Sequence, residues 1–279
     1  MKMLRIGLAQ TRQSDDFDGN AATIFRFVED AGRQGVQIVC FPEAQTVGYR
    51  ADITRPDAPV PVEKLKELHA EVARRCGKIG MACILGTETP SESGKPYNSA
   101  LVISEKGEML GVHHKTRLTP LDAVAYAPGN SFETFDLCGI KVGVVICFEG
   151  LRFAETTEQC VRQGAQLVFH PQNNTTRPQE WKVPIHHAMI VTRAAENTIW
   201  FASCNACLEA HQNSRSLVVA PDGQIHAQTE MKREELLVAD IDIDKATHAM
   251  FHYDLEATAE ILFGDTIERT EFAAVLPPA

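Results

Sequence analysis

The chain has 279 residues, of which 44% are hydrophobic and 23% charged, an ordinary globular composition that excludes disordered and fibrous classes. Its 27 basic and 37 acidic residues leave a formal charge of −10, which argues against a nucleic-acid partner or an anionic membrane surface, since both need basic clusters. No apolar stretch approaches the roughly 18 residues that would span a bilayer.

Residues 4–9 read as a strand and 21–34 as an amphipathic helix, with Ile24, Phe27 and Val28 on one stripe. A second strand at 36–41 is stopped by Pro42, and a helix at 62–77 carries Leu65, Leu68 and Val72 on one face. Strands follow at 81–86 and 100–104, and Glu105-Lys106-Gly107-Glu108 turns the chain into a strand at 109–114. Residues 131–135 and 140–147 form the next pair, joined by Cys138-Gly139. The second half repeats the rhythm: a helix at 154–163, a strand at 167–170 stopped by Pro171, and a long helix at 181–196. Strands at 199–204, 217–220, 224–228 and 236–241 complete the series, with Pro221-Asp222-Gly223 as a turn. Short strands alternating with helices predict an α/β fold of two packed sheets between helix layers. No Gly/Ser or Pro linker divides the chain, so residues 1–279 are expected to form one domain. The start Met1-Lys2-Met3-Leu4-Arg5 breaks its apolar run too early for an export signal. The eight cysteines are therefore expected to be reduced thiols of a cytoplasmic protein.

Three reactive side chains lie at or just past strand ends, where ligand sites collect in α/β folds. Glu43 follows Phe41-Pro42, Lys115 follows the strand at 109–114, and Cys147 ends Val144-Val145-Ile146. Taken singly, Cys147 reads as a buried core thiol, Glu43 as a solvated carboxylate and Lys115 as a loop charge beside Arg117. Together they form a complete acyl-transfer set. A thiol is a weak nucleophile at neutral pH until a base takes its proton, and an ammonium stabilises both thiolate and oxyanion.

The residues around these three resemble the carbon–nitrogen hydrolase (nitrilase) superfamily over nearly the whole chain. The matching segments are Val39-Cys40-Phe41-Pro42-Glu43 with Gly48-Tyr49, His113-His114-Lys115-Thr116-Arg117-Leu118 with Pro128-Gly129, and Gly143-Val144-Val145-Ile146-Cys147-Phe148-Glu149. Gly164-Ala165, Arg193-Ala194-Ala195-Glu196-Asn197 and Pro221-Asp222-Gly223 also match. The resemblance implies a four-layer α-β-β-α sandwich, usually dimerised. It implies Cys147 as nucleophile, Glu43 as general base and acid, and Lys115 with the backbone N–H of Phe148 facing the oxyanion. No metal or organic cofactor is expected.

Two segments depart from the family pattern. Many members carry a second glutamate after the lysine, where this chain has only Asp122, one methylene shorter. The segment after Cys147 runs Phe148-Glu149-Gly150-Leu151-Arg152-Phe153-Ala154-Glu155, one residue longer than usual and with Ala in place of Pro. Glu149 is read as orienting Lys115 or pairing with Arg152. Asn173 and His170 follow or end the strand after Cys147, with Asn173 a candidate substrate contact. Cys204-Asn205-Ala206-Cys207 lacks the second pair that a zinc site needs, and the adjacent pairs His113-His114 and His186-His187 point their side chains apart. Gly107 and Gly223 are read as turn glycines alone. These residues point to an amidase-type hydrolase of a small linear amide or carbamoyl compound, and the resemblance implies a homodimer or larger homo-oligomer. A nitrilase acting on a C≡N bond and a non-catalytic binding homologue are the alternatives. A metal-dependent hydrolase lacks its H-E-x-x-H or similar cluster.

Overall fold

The computed structural model describes residues 1–50, 58–174, 180–207 and 212–252. The first half runs β1 (Met3–Gln10), α1 (Phe17–Arg33), β2 (Ile38–Cys40), α2 (Val62–Ile79), β3 (Ala82–Thr89), β4 (Tyr97–Ile103) and β5 (Met109–His114). Then come α3 (Asp122–Ala125), β6 (Thr134–Leu137), β7 (Ile140–Val144), α4 (Phe148–Arg152), α5 (Ala154–Arg162) and β8 (Leu167–Gln172). The chain continues through α6 (Val183–Asn197), β9 (Trp200–Asn205), β10 (Leu217–Val219), β11 (Ile225–Gln228), β12 (Glu235–Asp242) and α7 (Ala249–His252).

The strands form two six-stranded sheets, in the orders β12-β1-β2-β3-β4-β5 and β11-β10-β9-β8-β7-β6. Within the first, β1, β2 and β3 are parallel, and β5, reached through two antiparallel steps, points the same way. Within the second, β7, β8 and β9 are parallel. Alternate residues of each strand face opposite ways, and both faces are apolar, which is how a sheet buried on both sides must read. Leu4, Ile6, Leu8, Ile38 and Ile84 meet Val142, Val144, Leu167, Phe169 and Ala202 between the sheets. On the outer face of the first sheet, Val39, Phe41 and Cys83 take Ile24, Phe27 and Val28 of α1 and Leu68 and Val72 of α2. On the outer face of the second, Val168, Phe201 and Val219 take Val161 of α5 and Ile190 and Ala194 of α6. The layers are therefore helix, sheet, sheet and helix, the expected α-β-β-α sandwich.

Most expected elements recur with small shifts, and three differences have physical causes. Helix α1 starts at Phe17, ahead of its apolar stripe, because the Asn20 amide clasps Ser14 at both its N–H (3.0 Å) and its carbonyl (2.7 Å). The strand expected to run to Cys147 ends at Val144, because Cys147 takes a positive φ and turns the chain into α4. Strand β8 does not stop before Pro171 but reaches Gln172. There the Pro171 carbonyl accepts from the Cys147 N–H at 2.9 Å, so the missing proline N–H does not end the strand. Among the described residues no helix is long and apolar enough to cross a membrane.

Candidate active site

Glu43 lies three residues past β2, in a turn where Ala44 has φ +56°. The turn passes so close to β3 that a Cβ on Gly86 would stand 1.8 Å from the Pro42 carbonyl oxygen. Only glycine fits there. Lys115 is the first residue after β5, and its N–H donates to the Asn98 carbonyl at 2.8 Å, which fixes it against the start of β4. Because β2 and β5 point the same way, both side chains emerge at one end of the sheet. Lys115 Nζ stands 2.6 Å from Glu43 Oε1 and 2.9 Å from Asp122 Oδ2, with all three side chains buried. Asn98 Nδ2 donates to the same Glu43 Oε1 at 2.7 Å, and the Asn173 N–H donates to Oε2 at 2.9 Å. Asp122 in turn accepts from the Tyr49 hydroxyl and from the Thr119 N–H.

Cys147 comes from the second sheet. Its φ of 50° and ψ of −111° make a sharp strand-to-helix turn, an unfavourable backbone for a residue with a side chain. Three contacts hold it there: its N–H on Pro171, its carbonyl accepting from the Leu151 N–H at 3.1 Å, and the same carbonyl accepting from His170 Nε2 at 2.9 Å. Facing a carbonyl, His170 Nε2 must carry the proton, so Nδ1 accepts from the Ser203 hydroxyl at 2.9 Å. Burial lowers the His170 pKa to about 4, so the ring braces the turn as a neutral imidazole. Helix α4 has five residues, too few to stabilise itself, and Arg193 supports its far end by donating to the Gly150 and Leu151 carbonyls at 3.0 and 3.1 Å. Glu149 joins the two sheets. Its carboxylate takes the Ile146 N–H at 2.5 Å, both the N–H and hydroxyl of Thr116 at 2.8 and 2.9 Å, and His113 Nε2 at 2.5 Å.

The electrostatics follow from two carboxylates and a thiol around one ammonium. Burial alone would lower the Lys115 pKa, but Glu43, the Cys147 thiol, Asp122 and Tyr49 outweigh it and hold the ammonium charged, well above the usual lysine range. Burial pushes Glu43 up and Asp122 adds to this, while Lys115 and the Cys147 thiol oppose, leaving it above an ordinary glutamate. Burial likewise pushes the Cys147 thiol well up, with Glu43 adding and Lys115 and the Asn173 N–H opposing. Asp122 goes the other way: burial works against its charge, but Lys115, Tyr49 and the Thr119 N–H pull it below the usual range. The resting site thus holds a neutral thiol beside a carboxylate of raised basicity.

A family model for carbon-nitrogen hydrolases matches residues 5–250 of this chain. The chain belongs to the carbon-nitrogen hydrolase family. It is 30% identical over 263 residues to the omega-amidase NIT2 of Mus musculus, covering 88% of this chain and 91% of that protein. To the omega-amidase NIT2-B of Xenopus laevis it is 29% identical, covering 87% and 90%. Among solved structures it resembles an amidase from Nesterenkonia sp. at a TM-score of 0.76 and 26% identity, covering 90% of this chain and 95% of that one. A mutant of that amidase, 25% identical to this chain over 90% of it and 99% of that chain, with a TM-score of 0.77, has been seen with acrylamide added at its active-site cysteine.

The fold brings Glu43, Lys115, Cys147, Asp122 and Asn173 to one point, with Phe148 half-buried beside them as the first residue of α4. Asp122 reaches the lysine despite its shorter side chain, because α3 carries its backbone in. Glu149 is neither of the two things expected of it: it is bonded to His113, Thr116 and Ile146, not to Lys115 or Arg152. His170 stands under the turn, bonded to backbone and Ser203, and not as a pocket acid. Asn98 belongs to none of the segments that mark the family, and Tyr49 enters only as part of one, yet they contact Glu43 and Asp122. Also missed was the buried pair of Arg50 and Glu88 (2.6 and 2.8 Å), whose Arg50 N–H donates to the Tyr126 hydroxyl at 3.1 Å behind Tyr49. None of the eight cysteines is in a disulfide.

Proposed function

We propose that the protein is an amidase-type hydrolase that cleaves the C–N bond of a small linear amide through a Cys147 thioester. The observation that carries this is the shared carboxylate: Glu43 lies 2.6 Å from the Lys115 ammonium, and both act on the Cys147 thiol, Glu43 raising its pKa and Lys115 opposing. As the thiol sulfur attacks the amide carbonyl carbon, its proton passes to Glu43 and the C=O bond opens to an oxyanion. Lys115 Nζ and the Phe148 N–H face that oxyanion. Glu43 then returns the proton to the nitrogen, the C–N bond breaks, and ammonia or an amine leaves behind a thioester. Water attacks the thioester with Glu43 again taking a proton, and the carboxylic acid leaves as the thiol reforms.

Asp122 is read as the counterpart of the family's second glutamate. With two carboxylates around one ammonium, the excess negative charge keeps Lys115 protonated and makes Glu43 a stronger base. Asn173 serves through its main chain, and Glu149 ties the lysine segment to the cysteine turn. Amides are favoured over nitriles because the omega-amidases and the Nesterenkonia enzyme are named as amidases. The eight cysteines outside any disulfide support a reading of cytoplasmic residence, and the family resemblance supports assembly into a homodimer or larger homo-oligomer. Light scattering showing a monomer at micromolar concentration would contradict the assembly.

The test is turnover of a panel of short linear amides by the protein and by Cys147→Ala. The unsubstituted protein should release ammonia or amine, and Cys147→Ala should fold and release none. Dialysis against a strong chelator should leave the rate unchanged, and a loss restored by zinc would contradict the thiol mechanism.

A further inference from the structure

The two oxygens of Glu43 have unequal surroundings, and the difference comes from Asn98. Oε1 takes two side-chain donors, Lys115 Nζ at 2.6 Å and Asn98 Nδ2 at 2.7 Å. Oε2 takes the main-chain N–H of Asn173 at 2.9 Å. A carboxylate oxygen already holding an ammonium and an amide has its lone pairs occupied, so an arriving proton goes to the other oxygen. The amide can point only one way, because its carbonyl turned toward Glu43 would set two acceptors face to face.

A second observation concerns the other half of the same side chain. Asn98 is fully buried, and its Oδ1 has no hydrogen-bond partner among the described residues. Burying an unpartnered amide oxygen is costly, and a smaller or apolar residue at this place in β4 would avoid that cost. Strand packing therefore does not explain an amide here, whereas a fixed N–H donor for Glu43 does.

We infer that Asn98 is a positioning residue: its amide clamps Glu43 Oε1, leaving Oε2 to carry the proton between thiol, leaving amine and water. This rests on Glu43 being the base, as proposed above. The titratable groups facing Glu43 are Lys115 after β5, Asp122 on α3, Cys147 before α4, and the phenols of Tyr49 and Tyr126. Against that set Asn98 is the neutral donor whose removal changes no charge, so its effect on Glu43 can be read without altering the ion pairs.

The experiment follows alkylation of Cys147 by iodoacetamide, read as peptide mass against time between pH 4 and 8, and so needs no known substrate. Asn98→Leu keeps the volume and removes the donor. A lost hydrogen bond to a carboxylate should move the acid limb of the rate upward by about 1–2 pH units. Asn98→Ala carries the same test if the leucine variant does not fold, with an upward shift of at least about half a unit, since water can restore part of the donor. Glu43→Gln should abolish the acid limb altogether. If the limb stays in place in the Asn98 variants while Glu43→Gln loses it, the inference is overturned and Glu43 as base survives. If Glu43→Gln alkylates with the unsubstituted pH profile, both are overturned. A residue that only packed β4 would lower the unfolding midpoint and leave the limb unmoved.

Discussion

Glu43 and Lys115 stand 2.6 Å apart and bear opposite charges, yet removing each should stop the reaction at a different step. Glu43→Gln keeps the shape and loses the base, so kcat should fall by about 10²–10⁴, and an activated ester should acylate slowly and then stall. Lys115→Ala removes a donor to the oxyanion and should fail at acylation, costing about 2.7–4 kcal/mol of transition-state stabilisation with no thioester accumulating. Rapid quench with peptide mass separates the two, and thioester accumulating in Lys115→Ala would reverse the roles. Asp122→Asn tests the surplus carboxylate. Asp122 raises the Glu43 pKa, so its neutralisation should move the acid limb of kcat/KM to lower pH, opposite to the change expected for Asn98→Leu. A limb that rises in Asp122→Asn would contradict the charge argument.

Between elements, the placement of Glu43 depends on one tight approach. At Gly86, a methyl group would collide with the Pro42 carbonyl, so Gly86→Ala must displace the turn that carries Glu43. Such overpacking costs about 1–3 kcal/mol, and activity should fall further than stability because Glu43 moves with the turn. Urea unfolding and the turnover rate measured together check this, and an active Gly86→Ala protein would show that the turn tolerates movement. These features also mark what could be read from the sequence. Glu43, Lys115 and Cys147 were legible because each follows a β-branched or aromatic run and sits in a recognisable segment. Helix α4 was not, since five residues are too few for a 3.6-residue period to show. Asn98 was illegible for another reason: amides are common, and only the pairing of β2, β3 and β4 brings this one to Glu43. The partners of Glu149 were not legible either, because residues 113–116 approach it only across the gap between sheets.

For the molecule as a whole, three buried histidines contribute to the acid side of stability. Burial lowers the pKa values of His69, His170 and His186 to about 4, from an ordinary 6.5. The unfolded chain binds those protons first, so their contribution is fully present above pH 6.5 and is lost as pH falls toward 4. The urea midpoint should therefore decline across that window, and His170→Gln should flatten the decline. An unchanged slope in that variant would mean that His170 is not the neutral brace described.

The claim on which all of this depends is that the acyl group passes through Cys147. Acid quench during turnover of short linear amides, followed by peptide mass, tests it directly. The peptide containing Cys147 should gain the mass of the acyl portion, and the adduct should accumulate in Glu43→Gln. An acyl group found on another side chain, or undiminished turnover by Cys147→Ala, would contradict the account.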